Sequence, residues 1–166
     1  MKWQDLPLTA FPPRAKGTYI LVLHAARSQR IGIGRLGEQL IVAGYYGYVG
    51  SAFGPGGLAA RLGHHARPPR RPHWHIDYLR SAAETVMTVF GVQAVRREHD
   101  WATVWAGLEG QKDGIAGFGA SDCACATHLF YGEQPPDVAE FIRRCAQRFP
   151  ADEPVRVIDQ GPSAQP

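Results

Sequence analysis

"GYYGYVGSAFGPGG", residues 44–57, sets three tyrosines and six glycines in fourteen positions. Aromatic hydroxyls beside so much bare backbone suit a place where a neighbouring segment or a ligand must come close to the chain. The stretch closes "QLIVAGYYGYVGSA", which is predicted as one strand ending in the turn Gly54-Pro55-Gly56-Gly57. From Leu58 a short helix is predicted, with Leu58, Arg61, Leu62 and His65 on one stripe. A guanidinium and an imidazole thus share the face of two leucines, where a solvated helix would keep them apart. The plainer alternative is that Arg61 snorkels over the leucines and His65 is incidental. His64 points elsewhere on this spacing.

Upstream, "TYILVLH" (Thr18 to His24) is apolar on both alternating faces, as in a strand covered on both sides. Between the two strands, Gly32, Gly34 and Gly37 predict a hairpin with bent or bulged arms. Downstream, "RPHWHIDYLR" sets His73 and His75 on one side if extended. "ETVMTVFGVQAV" is predicted as a strand bulged at Gly91. Trp101, Val104, Trp105 and Leu108 recur at helical spacing, as do Val138, Phe141, Ile142, Cys145 and Phe149. Both stripes are core. The expected fold is α+β, a small antiparallel sheet with helices packed on it. "GIGRLG" matches a dinucleotide fingerprint, but a strand-like "QLIVAGYY" follows where that motif needs a helix, so this reading is discarded.

With 166 residues and 45% hydrophobic composition, the chain is expected to form a single domain over 17–150, with an arm over 1–16 and a tail over 151–166. A formal charge of +3 is too small to imply a polyanion by itself. Between Arg61 and Arg80, however, five arginines and four histidines face a single acid, Asp77. Within that patch Arg67, Arg70, Arg71 and His73 are candidate nucleic-acid contacts. Three cysteines, and no apolar run suited to a membrane span or signal, point to a reduced, cytoplasmic protein without a membrane partner.

"GTY" (Gly17 to Tyr19), "YVG" (Tyr48 to Gly50) with Ser51 and Ala52, then Arg61 and His65, resemble the motifs of the GIY-YIG nuclease superfamily. The resemblance is nearest to its Uri-type subgroup of small bacterial and archaeal proteins. "GYYGYVGSAFGPGGLAARL", "HWHIDYL" and "GFGASDCACATHLFY" are similar to that subgroup's blocks, from about Gly17 to Tyr131. The resemblance implies a three-stranded antiparallel core, here with a hairpin extension. It also implies hydrolysis of a nucleic-acid phosphodiester, DNA favoured over RNA, assisted by one magnesium or manganese ion. Tyr19 and Tyr48 match the motif tyrosines. Arg61 suits a planar grip on phosphate. His65 would hold a phosphate oxygen or relay a proton, and His73 or His75 would assist.

The resemblance also implies one glutamate as metal ligand, since a hydrated dication needs few protein ligands. In "EHDWA" Glu98 is the candidate and Asp100 the reserve, with Asp100 as a helix N-cap the competing reading. Two departures stand out. Tyr19 and Tyr48 are 29 positions apart, longer than in typical superfamily members, leaving room for a ribbon whose Arg27 and Arg30 would reach substrate. The chain also lacks any asparagine, which many relatives carry late in the domain. Finally, Cys123, Cys125 and His128 are three candidate zinc ligands where a site needs about four. Buried thiols in a buttressing turn are favoured over structural zinc. Two further functions compete with a nuclease: a binding module that grips nucleic acid through the basic stretch without cutting, and a zinc-bearing interaction domain. A protein partner is not legible.

Overall fold

The computed structural model describes residues 14–161, so the expected arm over 1–16 lies outside it except at its end. β1 (Gly17–Ala25) is buried along almost its whole length, as two apolar faces require. It pairs antiparallel with β4 (Gly44–Ser51) on one side and β5 (Glu84–Val92) on the other. β7 (Leu129–Gly132) and the short β6 (Lys112–Asp113) extend the sheet beyond β4, and β8 (Arg156–Asp159) extends it beyond β5. The expected three-stranded core is therefore the centre of a six-stranded sheet, and residues assigned to a tail supply one of its edges. A separate hairpin, β2 (Gln29–Gly32) and β3 (Glu38–Ile41), is closed by a single 3-10 turn at Gly34–Leu36.

Helices cover both faces. α1 (Gly57–His65), α2 (His75–Leu79) and the hairpin pack over Tyr19, Leu21 and Leu23 of β1 and Tyr46 and Tyr48 of β4. α3 (Glu98–Ala106) and α4 (Val138–Arg148) cover Ile20, Val22, Val49, Val89 and Phe130. Trp101 and Trp105 of α3 meet Phe141 of α4 edge-on, with ring centroids 5.1 and 5.3 Å away. Offset aromatic packing of this kind adds to burial.

Three local expectations need correction. The strand predicted within Gln39 to Ala52 is two strands in different sheets. The break falls at Val42 and Ala43, where Ala43 N donates to Ser28 Oγ at 2.9 Å instead of to a ladder partner. The bulge placed at Gly91 lies at Val86: Val22 and Leu23 face Met87 and Thr85, leaving Val86 over. Gly91 stays in register, and a methyl group there would press on the Gln93 amide at 3.0 Å and the Trp101 indole at 3.1 Å. The segment holding His73 and His75 is not extended. Buried Asp77 accepts the backbone N–H groups of His73 and Trp74, both at 3.0 Å, and this turns the chain into α2.

Asp100 is no N-cap either. It is the third residue of α3 and pairs with Arg97 at 3.2 Å. Arg97 also holds Asp152 through two bonds of 2.9 and 3.2 Å and lies over Phe149. The start of α3, and with it Glu98, is therefore anchored to the segment after α4. Among the described residues no helix is long and apolar enough to cross a membrane.

Candidate active site

Tyr19, the third residue of β1, points toward α1, where its hydroxyl lies 2.9 Å from His65 Nε2. The Tyr48 ring stands edge-on to it, with centroids 6.3 Å apart. Gly50 is the cross-strand partner of Tyr19, and a methyl group there would strike the hydroxyl end of the tyrosine ring. Gly47, on the opposite face of β4, makes the same room for Trp105. The glycines of the opening stretch thus admit an aromatic ring to each face of β4.

Burial dominates the electrostatics of this cluster. Tyr19 is 1% exposed and Tyr48 9%. Desolvation pushes both phenols well above their ordinary range; the Glu98 carboxylate pushes the same way and the Arg61 guanidinium opposes it. The hydroxyl of Tyr19 favours ionisation of Tyr48, while Tyr48 disfavours that of Tyr19. Both phenols are therefore protonated at neutral pH.

Burial also lowers the His65 pKa from 6.5 to about 3, helped by the Arg80 and His64 charges and opposed by Asp77. The imidazole is neutral near pH 7. Between about pH 3 and 6.5 the unfolded chain binds a proton that the native state does not, so stability rises with pH across that window and is lost on acidification. Denaturant titrations are expected to show about 2 kcal/mol less stability at pH 5 than at pH 7 from this group. A His65→Gln protein should lose that part of the difference; an unchanged pH dependence would contradict a buried neutral His65.

His64, which the stripe left aside, belongs to the same cluster. Its Nε2 lies 3.0 Å from Asp77 Oδ1, and its ring meets Trp74 edge-on at 4.7 Å. Trp74 in turn carries the Arg61 guanidinium, 4.3 Å above its ring. The expected sharing of one helix face is real, with Leu58, Leu62 and His65 buried and Arg61 half-buried over Trp74 rather than over the leucines. Neither helical spacing nor motif pointed to His64 or Asp77; only the turn at α2 brings them together. His75 stands apart: its Nδ1 accepts the Gly119 N–H at 3.0 Å, and its ring packs on Phe118, which also meets Tyr48. Burial lowers its pKa.

Glu98, the first residue of α3, lines a cleft with Arg96, His99, Asp100, Gly119, Asp122, Cys123 and His128. Its Oε1 is 3.1 Å from His128 Nδ1, within ion-pair range but off the line of a hydrogen bond. A half-buried carboxylate whose charge is felt by both tyrosines suits a hydrated magnesium or manganese ion held by one protein ligand. Asp100, the reserve, is already engaged by Arg97. Arg96 was missed in the sequence; it lies over Phe53 and reaches Ser51 Oγ at 3.5 Å, bringing a cation to the cleft beside the end of β4.

Arg67, Arg70, Arg71 and His73 are exposed, and the three arginines line a broad groove with Gly56, Ala60, Gly63 and His64 of the α1 side. On the hairpin, exposed Arg30 pairs with Glu38 at 3.4 Å. Cys123 and Cys125 are half-buried free thiols, where buried ones were expected; burial and the adjacent Cys123 push the Cys125 thiol up.

A family model described as "Domain of unknown function DUF123" matches residues 18–151, from the first motif tyrosine's strand through α4. The chain belongs to the DUF123 family. Searches of curated proteins and of solved structures gave no significant match. In this DUF123 chain the matched span holds every residue of the tyrosine, histidine and Glu98 clusters.

Proposed function

We propose that this DUF123 chain is a metal-dependent nuclease of the GIY-YIG type, acting on DNA in preference to RNA, in the cytoplasm. The observation that carries the reading is the convergence of Tyr19, Tyr48, His65 and Arg61 from β1, β4 and α1, within the field of Glu98 at the start of α3. In-line hydrolysis of a phosphodiester needs a cation on the equatorial oxygens, an activated water and a stabilised leaving oxygen. Arg61 supplies the planar cationic grip, pre-set by stacking on Trp74. Tyr48, the more exposed of the two motif tyrosines, keeps its proton at neutral pH and would donate a hydrogen bond to the attacking water or to a phosphate oxygen. His65, buried and neutral, positions Tyr19 through the 2.9 Å contact to its hydroxyl, and the Tyr19 ring in turn packs edge-on against Tyr48. A divalent ion at Glu98 would lower the pKa of bound water and offset phosphate charge. Arg67, Arg70 and Arg71 give the groove that tracks the backbone of the polymer, a salt-sensitive contact without base readout.

The test is a panel of labelled single-stranded, duplex, nicked and branched DNA and RNA incubated with the protein in magnesium or manganese. Strand scission is expected on at least one DNA substrate. Salt-sensitive binding to the whole panel with no scission in either metal would replace the nuclease with a binding module built on the same groove.

A further inference from the structure

We propose that His99, Cys123, Cys125 and His128 bind one structural zinc ion that fastens the loop before β7 to the first turn of α3. The sequence showed three donors within one short loop. The fold supplies the fourth, because α3 begins beside that loop and places His99 next to it. One ligand atom from each of the four residues lies within 4.8 Å of all the others. Zinc–sulfur and zinc–nitrogen bond lengths give a tetrahedral site edges of about 3.3–3.8 Å. The Cys123 Sγ to His128 Nε2 distance is already 3.5 Å. The His99 and His128 rings are inclined at 62° with centroids 5.4 Å apart, so neither stacks on the other and a ligand nitrogen of each lies within the same 4.8 Å cluster.

The donor chemistry selects the metal. Two sulfurs and two imidazole nitrogens in a tetrahedron favour zinc over magnesium or manganese, which prefer oxygen. Two thiolates would balance the dication, so the site would carry no net charge in its half-buried place. His128 is 2% exposed, and the nitrogen it turns away from the sulfurs faces Glu98, the outer carboxylate that commonly orients a zinc-bound histidine. The loop forms no helix or strand between Phe118 and Leu129; backbone bonds from Gly117 N to Ala126 O and from His128 N to Phe118 O close its ends, and a metal cross-link would tie the cysteine-bearing tip between them to α3. The ion would also hold His128 against Glu98; that consequence alone rests on the nuclease reading.

The test uses untagged protein loaded with zinc and then desalted, with metal measured by mass spectrometry. About one zinc per chain is expected, held by wild type and by His73→Ala but lost from His99→Ala and Cys125→Ser. Metal-free wild type given cobalt should develop the intense visible bands of a tetrahedral centre with thiolate-to-metal charge transfer, a readout that needs no variant to fold. Absence of zinc from loaded wild type, retention by Cys125→Ser, or a pale octahedral cobalt spectrum would overturn the site. None of these readings depends on whether the protein cuts nucleic acid.

Discussion

Arg61→Ala is expected to lower strand scission by about 10³-fold, the loss seen when a principal cationic or oxyanion contact to a transferring group is removed. The fold should persist. Arg61 is half-buried and its local contribution is the stack on Trp74, worth about 0.5–1 kcal/mol at such a site. A change of that size moves the melting temperature by only a few degrees in a domain of this length. Arg61→Lys keeps the charge and loses the fork, so it should fall between the two proteins. Glu98→Gln is expected to be equally severe: it keeps the shape of the side chain but removes the carboxylate charge a hard cation needs. The check is single-turnover cleavage beside thermal melts. Full activity in a folded Arg61→Ala protein would remove Arg61 from the chemistry.

Trp105→Ala is expected to cost about 3–5 kcal/mol, since the ring is fully buried against Phe141 and over β4. Gly47→Ala should cost about 1–3 kcal/mol for the opposite reason, because its methyl would press into the same indole from the strand. Combined, the two changes should destabilise by clearly less than their sum, as the new methyl enters space the indole has left. Urea denaturation of the four proteins of this double-mutant cycle measures the coupling. Strict additivity would show that Gly47 is not there to admit Trp105.

Much of this architecture was legible because the signals were local. β1 reads from its double-faced apolar run, α3 and α4 from their stripes, and α1 from the turn and the leucine spacing. What failed depends on partners distant in sequence. The break between β3 and β4 is made by Ser28, the bulge at Val86 by the register of β1, and the turn at α2 by one buried carboxylate, Asp77. The site divides the same way. Tyr19, Tyr48, Arg61 and His65 were found by motif and helical spacing. His64 gained its place only through Asp77, and His99 only because α3 starts beside the cysteine loop.

Single-turnover scission of the best-bound DNA, started by adding magnesium to zinc-loaded enzyme, tests the central claim most directly. Magnesium is withheld before the start rather than chelated, so that any zinc stays in place. Product is expected only after magnesium is added, and none from Glu98→Gln under the same conditions. Scission before magnesium, or undiminished scission by Glu98→Gln, would contradict a hydrolytic centre built on Glu98, Arg61 and the two tyrosines.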